Sequence, residues 1–242
     1  MFHNRNSSAS FDASVQTEKA LPVGMMARKT IYRVENFPPV DLPSLKSIIG
    51  SKLFAEHEED FNEVLVQRDN KWQVPLGSVS HILGNKLTEQ MRMVLYSRPL
   101  WIEEAPNLVV MAGLTDSIDK HFKGSSYTAA WYVGLVSGTP TFAEGNTMDS
   151  HAGWFEVAPY AGARPTLTLG TVVSGSVDNS ANKAAYTINA TMVVGGAFLV
   201  TLPTASQTSG TLYGGAAFTG GNRSVASGDT LNVTTTLSAT AA

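Results

Sequence analysis

Charged residues become rare after Gly124, and this change constrains the fold of the chain more than any motif does. Of the 17 Lys and Arg and the 20 Asp and Glu residues, only eight lie in the last 118 positions. The same stretch holds 15 of the 21 glycines and is dominated by Thr, Val, Ala and Ser. Strand-forming residues mixed with turn residues predict a β-sandwich or barrel whose surface carries hydroxyl groups rather than charges. Such a surface suits an assembled structure better than a freely diffusing enzyme.

The composition divides the chain of 242 residues into three regions. Residues 1–25 are predicted to form an extended arm, and residues 26–106 a mixed α/β attachment region. Residues 107–242 are predicted to form a helix followed by an antiparallel β-sandwich of jelly-roll-like form. The predicted class is therefore α+β, with an arm and a small helical region preceding the sandwich.

The predicted arm is polar and has no periodic apolar face. Its apolar residues Phe2, Phe11 and Leu21 are spaced widely enough to act as separate anchors on a partner. We expect them to hold another protein chain. The alternative is that so polar a stretch has no fixed structure of its own.

Three helices are predicted from apolar spacing and capping residues. Asp41 is the expected cap of the first, which carries an apolar face formed by Leu45, Ile48, Ile49 and Leu53. Ser78 is the expected cap of the second, which continues to Leu95. The third is expected to begin at Asn107 and to end at Gly124. Its face that is predicted to be buried consists of Met111, Leu114, Ile118 and Phe122.

Strands are predicted wherever the apolar pattern alternates between turn residues. One is expected at 28–36, and two more, 61–67 and 72–74, on either side of a turn at 68–71. Beyond Tyr127 the predicted strands are 129–136, 154–157, 166–173, 184–188, 192–199, 211–218 and 231–237.

The bulk composition argues against several classes of function. The net charge of −3 gives no general attraction to nucleic acid or to an anionic membrane. The absence of cysteine removes disulfides, thiolate nucleophiles and cysteine-based zinc sites. The N-terminal residues lack an apolar signal-peptide stretch, and the longest apolar stretch, 192–202, is too short to cross a bilayer. We therefore expect synthesis in the cytoplasm and no membrane partner.

No nucleotide-binding, serine-hydrolase or zinc-protease motif occurs, and the five histidines are scattered. His57, followed by the acidic run 58–60, could bind a cation, but a solvated helix end is the favoured interpretation. Asp116, Asp119 and His121 share a predicted helix without sharing one face. We expect no catalytic residue, no cofactor and no metal, and hence no enzyme.

Three further groupings have a structural and a functional interpretation. A capped turn that positions Trp154 is favoured over a catalytic triad for Asp149, Ser150 and His151. A turn is likewise favoured over a calcium site for Asp178, Asn179 and Asn182. Core packing of Trp131 and Trp154 is favoured over a sugar-binding platform, which would be formed by Trp131, Tyr132, Phe155 and Tyr160.

The C-terminal half resembles a group of tailed-bacteriophage virion proteins. The resemblance covers about residues 107–242 and is carried by TAAWYVGLVSGTPTFAEGNTMDSHAGWFEVA (128–158), ARPTLTLG (163–170), SVDNSANKAAYTIN (176–189), VVGGAFLV (193–200) and GTLYGGAAFTGGNRSVASGDTLNVTTTLSA (210–239). The group has no settled catalytic motif. Residues 1–106 lie outside the resemblance, so the choice of partner is expected to depend on them.

The resemblance implies a structural protein of the virion. Our first hypothesis is a capsid decoration, or cement, protein that clamps subunits of the major capsid protein and forms a homo-oligomer, with a trimer favoured. The second is a tail component that binds a receptor or a glycan. A glycan-cleaving enzyme is disfavoured, because it would need a pair of carboxylates in a cleft and the β-rich half has five widely spaced acidic residues.

Overall fold

The computed structural model describes residues 27–126 and 130–240. They form an α+β fold that consists of one large, curled antiparallel sheet and a smaller helical region. The predicted fold class is confirmed, and the C-terminal part is β-sandwich-like. Among the described residues, no helix has the length and apolar character needed to cross a membrane.

The helices of the described part are short and lie mostly between residues 42 and 122. They are α1 (Leu42–Ile49), α2 (Ser51–Glu56), α3 (Glu58–Glu63), α4 (Leu76–Leu83), α5 (Glu89–Leu95) and α6 (Met111–Phe122). Single 3-10 turns occupy Gly84–Lys86 and Ser180–Asn182.

Strands both precede and follow the helices. They are β1 (Ala27–Phe37), β2 (Val40–Asp41), β3 (Val66–Arg68), β4 (Lys71–Val74), β5 (Trp101–Val109), β6 (Tyr132–Ser137), β7 (Phe155–Val157), β8 (Ser176–Asp178), β9 (Ala184–Thr187), β10 (Met192–Val194), β11 (Gly196–Val200), β12 (Leu212–Ala217), β13 (Arg223–Val225) and β14 (Thr230–Thr240).

The large sheet has the strand order β7-β6-β11-β12-β5-β1-β14-β8, and β9 pairs with the first half of β14. Its centre joins the first and last strands of the described residues, because β1 pairs along its full length with β14, from Ala27 opposite Thr240 to Phe37 opposite Thr230. On its other side β1 pairs with β5. Strands from both sides of the expected boundary at residue 106 therefore lie in one sheet, and that boundary falls inside β5.

The main core lies on one face of this curled sheet. Alternate residues of β1 and β14 point into it, among them Tyr32, Val34, Leu231 and Val233. The hydroxyl group of Tyr186 on β9 donates a hydrogen bond of 2.8 Å to the carbonyl oxygen of Val133 on β6. This bond joins β9 to β6 across the core, although the two strands are not neighbours in the sheet.

A second core covers the outer side of β6, β11 and β12. In β11, Phe198 and Val200 face this core while Ala197 and Leu199 face the main one, so every residue of the strand is buried. The loop 138–154 covers Phe198 with Trp154, whose ring lies 5.0 Å from it. A strand buried on both faces explains why its sequence is continuously apolar.

The helical region has an apolar core of its own. Its buried residues come from α1 to α5, β4 and the end of β1, and include Leu45, Phe61, Val79 and Leu83. It also contains the small sheet β2-β4-β3. Asp41 caps α1 as predicted, since its carboxylate accepts a hydrogen bond of 2.9 Å from the backbone N–H of Ser44.

The predicted helices differ from the observed ones where a glycine interrupts the apolar pattern. The first is divided at Gly50 (φ 86°) into α1 and α2, and the second is divided at Gly84 (φ 50°) into α4 and α5. A left-handed residue cannot continue a right-handed helix. The cap assigned to Ser78 is wrong, because α4 begins at Leu76 and Thr88 caps α5.

Two further predictions in the helical region are wrong in position. The residues around Phe61 form α3 rather than the start of a strand, and β3 is only Val66–Arg68. The predicted turn between β3 and β4 is confirmed, with Asp69 and Asn70 at positive φ. The helix expected from Asn107 begins at Met111, because β5 continues to Val109. Gly124 follows this helix at positive φ, as expected.

The strands predicted after Tyr127 are largely confirmed in position. The exceptions are 166–173, which forms only isolated bridges at Thr166 and Val173, and 192–199, which is divided at Gly195 into β10 and β11. Strands β8 and β13 were not predicted. Both are three residues long, too short for alternation to show in the sequence.

Candidate partner-binding surfaces

The predicted arm anchors Phe2, Phe11 and Leu21 lie outside the described residues. Their role as anchors therefore stays a prediction. The first described residues, from Ala27, already belong to the central strand of the large sheet. Any partner held by residues 1–25 would therefore be tied directly to the core of the fold.

The few charged residues of the C-terminal half are held mostly in ion pairs inside the structure. The most enclosed is Arg164, whose side chain is fully buried. Its guanidinium donates two hydrogen bonds of 2.7 Å to the two carboxylate oxygens of Glu156 and a third to the carbonyl oxygen of Leu202. Its guanidinium carbon lies 5.4 Å from the centre of the Phe198 ring. This two-pronged contact fastens the loops around residues 164 and 202 to β7.

Two other carboxylates bind basic residues across strands. Glu103 on β5 forms an ion pair with Arg223 on β13 and accepts a bond of 3.1 Å from the backbone N–H of Gly220. Glu35 on β1 pairs with Lys183 at 2.5 Å. Both carboxylates are largely buried. These contacts join segments more than a hundred residues apart, which identifies them as supports of the sheet.

Asp229 connects the sheet to the helical region. It is buried, and its carboxylate accepts hydrogen bonds from the side-chain amide of Asn36 at 2.9 Å and from the backbone N–H of Ala226 at 3.0 Å. It also forms an ion pair with Arg68 on β3. Beside it, the backbone N–H of Gly77 donates to the hydroxyl oxygen of Thr230 at 2.8 Å. The two regions therefore meet through polar contacts at the start of β14.

The acidic run 58–60 is solvent-exposed and forms the first turn of α3, and the half-buried His57 directly precedes that helix. His57 Nδ1 lies 2.8 Å from a carboxylate oxygen of Asp60, and its Nε2 lies 2.9 Å from the ammonium of Lys86. The run lines an open cleft of about 420 Å³. Among the described residues, no group of three or more His, Asp and Glu is placed to hold a metal ion.

The other acidic and histidine-containing groups make local structural contacts. The Asp149 carboxylate binds the Thr147 hydroxyl, which lowers the pKa of Asp149. His151 Nδ1 lies 3.0 Å from the carbonyl oxygen of Trp154, and the two rings stack with centroids 3.9 Å apart. Ser150 makes a backbone contact with Thr147 in the same loop. This geometry is that of a turn that positions Trp154, as favoured from the sequence.

Asn179, considered for calcium, is buried and holds β14 instead. Its amide oxygen accepts from the backbone N–H of Thr235 at 2.6 Å, and its amide nitrogen donates to the carbonyl oxygen of Val233 at 3.2 Å. Asp178 accepts from the backbone N–H of Ser180 at 2.8 Å. The turn interpretation therefore describes this segment.

The aromatic residues considered for a sugar platform point to different surroundings. Tyr160 is buried against Tyr186, with ring centroids 4.8 Å apart, and burial raises its pKa. Trp131 packs edge-on against Tyr213 at 5.5 Å. Phe155 is exposed. Tyr132 packs against the second core. Three of the four candidates therefore support the cores, and Phe155 stands apart on the surface.

The apolar stripe of α6 is predicted to be buried, and this prediction is wrong for three of its four residues. Met111, Ile118 and Phe122 are 56, 55 and 73% exposed, and Gly113 is the buried residue of the helix. The helix lies against β12 through Gly113, where a Cβ would collide with the backbone of Tyr213. The presence of Gly113 opposite the apolar stripe is the sequence signal that could have indicated this orientation.

Comparison of the chain with protein-family models and with curated proteins finds no match to either.

Proposed function

We propose that this protein is a structural component of a tailed-bacteriophage virion, and that it acts as a capsid decoration protein which clamps subunits of the major capsid protein. The proposal rests on the sequence resemblance of residues 107–242. It is supported by one structural observation: the ionisable side chains of the β-rich half serve mainly as internal supports, while large apolar side chains lie on the outside.

The positions of the charges favour a structural role over a catalytic one. Acid–base catalysis needs a titratable group that can reach a substrate. Glu156, Arg164 and Asp229 are enclosed in ion pairs within the fold. Asp149 is exposed and Asp178 is half-buried, and both accept hydrogen bonds within local turns. This arrangement makes the sheet rigid and leaves its outer surface poor in charge, which suits burial against other proteins.

The attachment role is assigned to the N-terminal arm. With Phe2, Phe11 and Leu21 as anchors, burial of three large side chains would contribute about 1.5–3 kcal/mol each, less the cost of ordering the backbone. Because β1 begins at Ala27, a force on the bound arm would act directly on a central strand of the sheet. Repetition over many identical copies would then reinforce a shell. We propose that identical copies also contact one another.

Deletion of residues 1–25 tests the proposal. The truncated chain retains all of β1, so we expect an unchanged thermal unfolding midpoint. Its binding to capsids that lack the protein, measured by co-sedimentation, should fall sharply. A triple replacement of Phe2, Phe11 and Leu21 by serine is the matched full-length control and should have the same effect. Undiminished binding of both variants to capsids would contradict the proposal that residues 1–25 hold the protein on the capsid.

The second candidate is a tail component that binds a receptor or glycan. The observation that favours it is the exposed tip of the β3–β4 hairpin, where Trp72 is 56% exposed beside Lys71. Trp72 lies on β4 next to the turn, and an exposed tryptophan offers an apolar ring face together with an N–H donor to a partner. Binding of the protein to host cell envelopes, lost in Trp72→Ala, would favour this function over capsid decoration.

A further inference from the structure

Helix α6 carries its apolar stripe on the side that faces away from its own fold. The stripe consists of Met111, Leu114, Ile118 and Phe122, of which Leu114 is half-buried and the other three are exposed. At 3.6 residues per turn their Cα positions fall within about 80° of arc. The opposite side contains Gly113, which packs on β12, and Asp116 and Lys120, whose side chains are only 16 and 24% exposed. A helix packed on its own domain would normally turn the apolar side inwards.

The charges of α6 are balanced within the helix. Lys123 lies 2.8 Å from Asp119, and Lys120 lies 3.9 Å from Asp116, each four residues along the chain. Lys123 lowers the pKa of Asp119. Because two basic and two acidic groups pair with each other, the helix presents no net charge to a partner. A nucleic acid, an acidic peptide or an anionic membrane would gain nothing from it.

The width of the stripe fits another helix. Helices that pack on a globular core show an apolar face of about 100° or more, whereas helices that pack on each other use a narrower seam. The spacing of three, four and four residues is that of such a seam. A stripe that is uncharged and uniformly apolar is complementary to itself, which is the requirement for contact between identical subunits.

We propose that the stripe of α6 is the surface through which one copy of this chain binds α6 of a second copy. This inference rests on the proposed function in one respect: it names the surface through which the proposed contact between identical copies forms. The contact itself does not require a capsid. The four side chains offer about 400 Å² per copy, roughly half of what each partner contributes to a standard interface. Association through α6 alone is therefore weak and concentration-dependent, and contacts along an array would strengthen it.

Sedimentation velocity over a range of concentrations tests this surface with a closely matched control. Phe122 on α6 and Phe155 on β7 are 73 and 71% exposed, so replacement of either by aspartate should leave the fold intact. We expect the wild-type protein and Phe155→Asp to associate alike. Phe122→Asp and Ile118→Asp should raise the concentration for half-association by about tenfold or more. Equal association of all four proteins would overturn the proposal. So would a Phe155→Asp variant whose association is weakened as much as that of the two α6 variants, or a wild-type protein that stays monomeric.

Single cysteines supply an independent readout, because the chain contains none of its own. Under mild oxidation Ile118→Cys should form a disulfide-linked dimer at concentrations where Phe155→Cys does not. Equal cross-linking of both would contradict the proposal, even if an aspartate variant failed to fold. Association through α6 without capsid binding would contradict the proposed function alone. Capsids decorated by monomers whose α6 helices do not touch would contradict this inference alone.

Discussion

The large sheet and the helical region of residues 38–100 are stabilised in different ways. In the sheet, β1 pairs with β14, which lies 193 to 213 residues further along the chain, and buried charges such as Arg164 are paired across loops. In the helical region, neighbours in sequence pack on each other around Leu45 and Phe61, with caps such as Asp41 at the helix ends. The sheet therefore depends on contacts that form only when the whole chain is folded.

This contrast predicts that the helical region unfolds locally more easily than the large sheet. The helical region packs on the end of the sheet through Asp229, Arg68 and Gly77, so loss of the sheet removes its support. Loss of the helical region leaves most strand pairs intact. We therefore expect the amides of α1 to α5 to exchange with solvent at a lower free energy than those of β1, β11 and β14.

The largest effect is expected from Arg164→Met. This change leaves the carboxylate of Glu156 without its buried partner, and breaking such a pair costs about 3–5 kcal/mol. The free energy of unfolding from urea denaturation should fall by that amount, with both regions unfolding together. The double variant Glu156→Gln/Arg164→Met removes both charges and should recover part of the loss. A single variant as stable as the wild type would show that the pair does not support the sheet.

Leu45→Ala tests the other region. Leu45 is fully buried in the helical core, and truncation of a buried leucine costs about 2–5 kcal/mol. Hydrogen exchange should become faster in α1 to α5 while the amides of β1 and β14 keep their protection. Faster exchange in every strand would contradict the independence of the two cores.

A smaller effect is expected where a strand must lack a side chain. A Cβ at Gly134 on β6 would collide with the ring of Phe198 on β11, so Gly134→Ala should cost about 1–3 kcal/mol through overpacking. Gly145 lies in a loop with no atom within 4 Å of its Cβ position, so Gly145→Ala is the control and should be near neutral. Thermal unfolding of the two variants measures the difference.

The smallest effect concerns the cap of α1. The backbone N–H of Ser44 holds the pKa of Asp41 below its ordinary value. The folded-state pKa is depressed, so the stabilisation is present above the unfolded-state value, about 3.9, and is lost as the pH falls through the folded one. Asp41→Ala should cost about 1 kcal/mol at neutral pH and less at pH 3. Asp41→Asn keeps an acceptor without a titratable group, so its stability should lack this pH dependence.

The sequence predicted the class of fold and most strand positions because alternation and turn residues are local signals. It could not show that β1 and β5 pair with the C-terminal sheet, since strand pairing depends on distant residues. The same limit applies to Arg164, whose partner is visible only once two loops meet. For α6, the spacing identified the apolar stripe, but spacing alone does not say whether a stripe faces a core or a partner.

The location of the protein on the virion tests the central proposal most directly. A cryo-electron microscopy reconstruction of the phage should show density matching the curled sheet at symmetry-related positions on the outside of the capsid shell, with residues 1–25 extended over major capsid subunits. Density for the sheet only at the tail, or its absence from the virion, would contradict the proposal that this chain is a capsid decoration protein.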